Sequence, residues 1–145
     1  MAIKQISVFL ENRTGQLAEI TSLLAENEIN LRAISIAETA DYGVLRIIAD
    51  DADTAANVLL SKGNIITMNP VTVVAVQDKP AGLSELLSLL ADGDVDIEYM
   101  YSLFTHQDDK AYMVFRISEQ GYDSFIDLLE KHGLQSVSGT ELGLK

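Results

Sequence analysis

The chain has 145 residues, 48% of them hydrophobic, enough for a packed core and too apolar for a disordered chain. Ten Lys and Arg against 22 Asp and Glu leave a net charge of −12, a field that repels nucleic acid and anionic membrane. There is no cysteine, which excludes disulfide frameworks, thiol nucleophiles and thiolate metal sites. The apolar runs fall far short of the ~18 residues of a membrane helix. Met1-Ala2-Ile3-Lys4-Gln5 lacks the charged-then-apolar pattern of a signal peptide, so a cytoplasmic location is expected.

In chain order, residues 3–10 (IKQISVFL) alternate at Ile6, Val8 and Leu10 and predict a strand. A Gly-containing loop leads into a helix at about 15–27, whose Leu17, Ile20, Leu23 and Leu24 form one apolar stripe. Asn30 to Ala37 reads as a second strand, Asp41-Tyr42-Gly43 as a hairpin and Val44 to Ala49 as a third strand. Asp50-Asp51 places carboxylates at the start of a short second helix, where the helix dipole favours them, and Gly63 ends it. Ile65 to Met68 predicts a fourth strand, and Pro70 is expected to break the chain before a further strand at Val71 to Val76.

The chain then repeats itself. A shift of 66 lays LAEITSLLAE (17–26) on LSELLSLLAD (83–92), and the preceding loops also correspond. A shift of 70 then lays Tyr42, Val44, Arg46, Ile47, Asp53, Leu59 and Gly63 on Tyr112, Val114, Arg116, Ile117, Asp123, Leu129 and Gly133. The four extra residues fall around Thr105 to Asp109, a polar THQDD stretch that reads as a longer hairpin loop. The chain is thus read as a tandem duplication, residues 1–69 and 70–145, each in the order β-α-β-β-α-β. That order is the split βαβ of ferredoxin-like α+β folds, an antiparallel sheet with helices on one face. Both faces of the third strand are substantially apolar, so the second sheet face is expected to be covered by the sister unit, a second chain or both. A homodimer is the expected result.

The loops between the first strand and first helix of each unit attract attention as binding sites. They are Glu11-Asn12-Arg13-Thr14-Gly15-Gln16-Leu17 and Gln77-Asp78-Lys79-Pro80-Ala81-Gly82-Leu83. Each ends at a helix N-terminus, where free N–H groups and the dipole favour a carboxylate. Arg13 and Lys79 add positive charge in an acidic protein. Read from the residues alone, turn and cap chemistry is the simpler account of these residue types.

The pattern strand–Asp/Asn–x–Pro/Thr–Gly–x–Leu–helix, followed by Glu28-Ile29-Asn30-Leu31 and by Gly63-Asn64, resembles the ACT domain. The resemblance covers nearly the whole chain as two copies; in the second, Ala81 holds the usual glycine position and Gly82 comes one place later. It implies a stand-alone, non-catalytic regulatory protein that binds a small effector, an amino acid by expectation, and acts on a separate enzyme. Such sites join the loop, the first helical turn and the start of the second strand, usually at an interface between two ACT units. Carried over by position, the candidates are Asn12, Arg13, Thr14, Gly15, Gln16 and Leu17 with Asn30 in the first unit. In the second they are Asp78, Lys79, Pro80, Ala81, Gly82 and Leu83 with Asp96.

Four of the nine Tyr and Phe residues lie between 99 and 112, and a strand sets Tyr99 and Tyr101 on one face. Packing at a core or interface and ligand contact are both open for that pair. His106 and His132 fall in different contexts, the second as a cation at a helix end. No nucleophile elbow, P-loop, zinc-helix or dinucleotide glycine signature occurs, so no catalytic residue, metal or cofactor is expected. RNA-recognition modules share the element order, but Asp41 to Ile47 lacks their leading basic residue and stacking aromatics. Residues 1–69 carry a net charge of −4 and residues 70–145 one of −8, which further disfavours RNA. The competing reading is a ligand-free assembly module.

Overall fold

The computed structural model describes residues 2–11, 13–38, 41–107 and 109–145, and at His106 the backbone alone. The chain divides into two units, Lys4–Pro70 with Gly143–Lys145, and Val71–Leu142 with the residues through Ile3. Among the described residues there are four α-helices and seven strands.

The first unit contains β1 (Ile3–Leu10), α1 (Gln16–Glu26), β2 (Leu31–Glu38), β3 (Gly43–Ala49), α2 (Ala52–Ser61) and the first part of β4 (Ile66–Gln77). The strands lie in the order β2-β3-β1-β4. Alternation on β1 and β3 turns Ile6, Val8, Leu10, Leu45 and Ile47 onto Ile20 and Leu24 of α1 and Leu59 of α2. Each such side chain contributes about 1.5–3 kcal/mol on burial. Asp51 caps α2, accepting from the Thr54 amide at 3.2 Å and the Thr54 hydroxyl at 2.8 Å. The preceding Asp50 serves the strand instead, its Oδ1 accepting from the Asn30 amide at 3.0 Å.

The second unit repeats the plan with the rest of β4, α3 (Gly82–Asp92), β5 (Ile97–Gln107), β6 (Lys110–Ile117), a 3-10 turn at Glu119–Gly121, α4 (Tyr122–Lys131) and β7 (Ser136–Val137). Its strand order is β7-β4-β6-β5. Val74, Phe115 and Ile117 meet Leu86 and Leu90 of α3 and Phe125 and Leu129 of α4. Both units are therefore the ferredoxin-like α+β fold expected from the repeat.

The duplication extends to single hydrogen bonds. After α1 the Ile29 amide donates to the Leu24 carbonyl at 3.0 Å, and after α3 Val95 donates to Leu90 at 3.0 Å. After α2 Asn64 donates to Leu59 at 3.2 Å, and after α4 Leu134 donates to Leu129 at 2.8 Å. Gly63 and Gly133 make those last turns with φ of 82° and 71°, a conformation only glycine adopts without strain.

Two expectations are corrected. Pro70 does not break the chain, because β4 runs through it as a single strand of 12 residues. Proline lacks only the N–H, and Pro70 lies between the segment beside β1 and the ladder with β6 that begins at Thr72, where no donor is required. The THQDD insertion lengthens the hairpin arm instead of its loop: β5 reaches Gln107, which pairs with Lys110, with a register shift between Ser102 and His106. Backbone pairing satisfies His106 and Gln107 whatever their polarity, and Asp108 lies outside the described residues.

The sheet face away from the helices is not uniformly solvated. Gln5, Ala33 and Ile48 in the first unit and Val73 and Val114 in the second are fully buried within the single chain. Phe9 on the same face is 39% exposed and stacks on Tyr42 with ring centroids 5.3 Å apart.

Candidate functional site

The two strand–helix loops use glycine for different physical reasons. Gly15 has φ of 88° and open space where a Cβ would stand, so glycine serves torsion there. Ala81, its counterpart, is right-handed at φ −91° and needs no glycine. Gly82 makes a close approach instead: a Cβ would overlap the Gln77 carbonyl oxygen and lie 3.0 Å from its carbon. The loop is fixed there by Lys79 N–H to Gln77 O and Gly82 N–H to Lys79 O, both 2.9 Å.

Gln16 occupies the corresponding position in the first loop. It is 9% exposed, and its Oε1 accepts from the Glu11 amide at 2.8 Å, replacing a backbone contact by a side-chain one. Arg13 forms a two-pronged pair with Glu19, Nη1 to Oε1 and Nη2 to Oε2, each 3.0 Å. Hydrogen bonding, then charge, raises the Arg13 pKa and lowers that of Glu19 from their ordinary values. Thr14 and Gly15 are exposed, whereas Leu17 packs on the core. Asn12 lies outside the described residues. In the second loop Asp78, Lys79, Pro80 and Ala81 are exposed, and Leu83 is half-buried.

Beside each loop is a cleft. That of the first unit, about 640 Å³, joins Glu11, Arg13 and Gln16 and the outer face of α1 to Lys62, Gly63 and Asn64 after α2. That of the second, about 810 Å³, joins Gln77, Lys79 and Gly82 and the outer face of α3 to His132, Gly133 and Leu134 after α4. The two shifts of the sequence repeat map these walls onto one another. The second cleft also reaches Ala75, Lys110, Tyr112, Ser136 and Glu141. The far walls were missed in sequence reasoning, although Lys62-Gly63-Asn64 and His132-Gly133-Leu134 align as the ends of the second helices. His132 takes its expected place at the C-cap of α4, its Nδ1 3.2 Å from the Leu128 carbonyl oxygen.

Within a unit the structure does not bring Asn30 or Asp96 to these loops. Leu10 pairs with Gly43 at one end of the sheet, whereas Leu31 pairs with Ala49 at the other. A strand of that length separates Asn30 from its loop by roughly 20 Å. Asp96 precedes Ile97, which pairs with Ile117, and is likewise remote from the Gln77–Lys110 end. Tyr99 and Tyr101 share a face of β5, with near-parallel rings 6.4 Å apart, and do not line either cleft. Among the described residues no group of three or more His, Cys, Asp or Glu could hold a metal ion, and no helix is long and apolar enough to cross a membrane.

A family model described as an ACT domain pair matches residues 1–142. The chain belongs to that family. The ACT pair is also similar to protein BT0572 from Bacteroides thetaiotaomicron, at 36% identity over 99% of this chain and 96% of that one, with a TM-score of 0.87. The regulatory subunit of aspartate kinase from Thermus thermophilus shares the fold at 17% identity, covering 88% and 91% of the two chains, TM-score 0.62. The Thermus flavus regulatory subunit does so at 15% identity, covering 88% and 90%, TM-score 0.59. A search of curated protein sequences returned no match. The matched family is a regulatory, ligand-binding module, and no catalytic family is indicated.

Proposed function

We propose that this ACT pair is a cytoplasmic regulatory protein that binds a small effector, an amino acid, and acts on a separate enzyme or regulator. Residues 1–69 and 70–145 are its two ACT modules, and the Asn12–Leu17 and Asp78–Leu83 loops are its candidate effector sites. One observation carries this reading: the duplicated loop stands in both units beside a cleft that has cations on its walls, in a protein of net charge −12. Loop amides and cations suit a carboxylate, and the leucines of α1 and α3 suit an apolar body. The Thermus thermophilus relative is itself a regulatory subunit, which agrees with the assignment.

A thermal-shift screen of the twenty amino acids with purine and thiol metabolites tests the proposal. A ligand at 100 times its Kd adds about 2.7 kcal/mol, a melting shift of about 5–10 °C for a chain of this size. If no compound moves the melting point at millimolar concentration, the effector reading fails. A second reading, assembly of the chain with itself as a homodimer, is favoured by the exposed Phe9–Tyr42 stack and by Ile65, 67% exposed. Sedimentation of Phe9→Ser beside the natural chain tests it, and an unchanged mass refutes it.

A further inference from the structure

We propose that the two clefts have diverged, and that only the cleft of the second unit receives a ligand: a small monocarboxylate with an apolar body, held by Lys79 and Lys110. This rests on the effector reading above and narrows it to one unit and one chemistry.

The first argument is the state of the cations. Arg13 in the first cleft is paired with both oxygens of Glu19, so a ligand carboxylate has to displace that partner. Lys62 is the one cation of that cleft with no ion pair among the described residues. Lys79 and Glu85 hold the same positions in the second unit, and among the described residues they make no ion pair. Lys110 stands on the strand beside Gln77, and among the described residues it too forms no ion pair. Two uncommitted ammonium groups from different elements thus share one cleft in the half of the chain with the larger negative charge.

The second argument is the sheet edge. In the first unit the Phe9 amide donates to the Ile65 carbonyl at 2.9 Å, closing the strand beside the cleft. The shifts place Ala75 and Gln135 at these positions. There β7 is only two residues long and meets β4 at Val73 and Val74, and among the described residues no bond from Ala75 to Gln135 forms. The cleft consequently runs to the edge of β4, which adds Ala75, Lys110 and Tyr112 to its walls and makes it the larger. Asp78 N–H bonds across to Asp109 at the β6 end of the ladder, so by alternation along the strand the Ala75 amide faces the opposite side, towards the cleft, as a neutral donor.

The third argument sets the charge of the ligand. Glu85 and Glu141 also line the cleft, so a phosphate or a second carboxylate meets repulsion that a single carboxylate avoids. Leu86 and Leu89 supply the apolar wall. An amino acid and the corresponding 2-oxo acid share this chemistry and differ only in the ammonium group, for which the two glutamates are the available partners.

The experiment is calorimetric titration of the full chain with L-leucine and with 4-methyl-2-oxopentanoate, which have the same carbon skeleton. The expected result is one binding event per chain for at least one probe, with amide shifts at His132 and Gly133 in nitrogen-15 spectra. Lys79→Gln with Lys110→Gln weakens it by about tenfold or more, and Lys4→Gln with Lys145→Gln, a charge-matched pair outside both clefts, does not. Preference for leucine assigns the ammonium to the glutamates; preference for the oxo acid leaves the carboxylate as the whole polar contact. Two events per chain, or the same loss from Arg13→Gln, overturn the assignment. Failure of both probes when another amino acid binds overturns this inference alone, whereas failure of the entire metabolite screen overturns the effector reading with it.

Discussion

Gly82→Ala adds one methyl group at the first residue of α3, and its effect follows from the contact that glycine makes. The new Cβ overlaps the Gln77 carbonyl oxygen, a backbone atom that cannot swing away as the end of a side chain would. Relief requires the start of α3 to retreat from β4, which stretches the two 2.9 Å bonds of the loop. Overpacking costs about 1–3 kcal/mol, here towards the upper end, and each weakened bond about 1 kcal/mol. Alanine returns about 1 kcal/mol through helix propensity. The expected result is a net loss of about 3–4 kcal/mol. Gly15→Ala has open space and incurs only the left-handed torsion, about 1–2 kcal/mol. Urea unfolding of both variants, with the slope checked for constancy, measures the difference. If Gly82→Ala is as stable as the natural chain, or less harmful than Gly15→Ala, the close-approach reasoning is wrong.

Other expectations follow from single contacts. Phe125→Ala empties a fully buried site in which Phe125 packs against Phe115 with centroids 5.9 Å apart, and should cost about 3–5 kcal/mol in the same assay. Gln16→Ala leaves the Glu11 amide without its 2.8 Å acceptor and should cost about 1–2 kcal/mol. A smaller loss in either case would mean that the site collapses or that water replaces the contact. Hydrogen bonds from Arg13 lower the Glu19 pKa, and those from Thr54 lower that of Asp51. Such carboxylates add stability that is complete above their unfolded values and is lost as pH falls through the folded ones. The melting temperature should therefore hold from neutral pH to about pH 5 and fall below about pH 4, less steeply in Glu19→Gln with Asp51→Asn. An equally steep fall in that double variant would assign the acid sensitivity elsewhere.

The fold was legible because its periodicities are written twice. Ile6, Val8 and Leu10 alternate as a strand facing a core must, and the aligned LAEITSLLAE and LSELLSLLAD segments give the same stripe in both helices. Pro70 misled because a proline is read as a break, whereas its missing donor matters only where a ladder needs one. Thr105 to Asp109 reads as a loop from its polarity, yet the cross-strand bonds that pair His106 and Gln107 belong to the backbone. At the candidate site, sequence led to the two loops but not to their opposite walls. Those walls arise after the second helices, about 50 residues further along the chain, and only the packing of two helices on one sheet brings them near. The reverse holds for Asn30 and Asp96, near their loops in sequence and a full strand length away in each unit.

The matched bonds after the helices, Ile29 to Leu24 with Val95 to Leu90 and Asn64 to Leu59 with Leu134 to Leu129, have an evolutionary consequence. They anchor each unit at points that none of the loop residues occupies. The segments 11–16 and 77–82 are therefore cassettes in one mould: either can acquire new chemistry while its twin keeps the old one. A gene that carries two such copies can explore a new effector without first surrendering the fold that holds it.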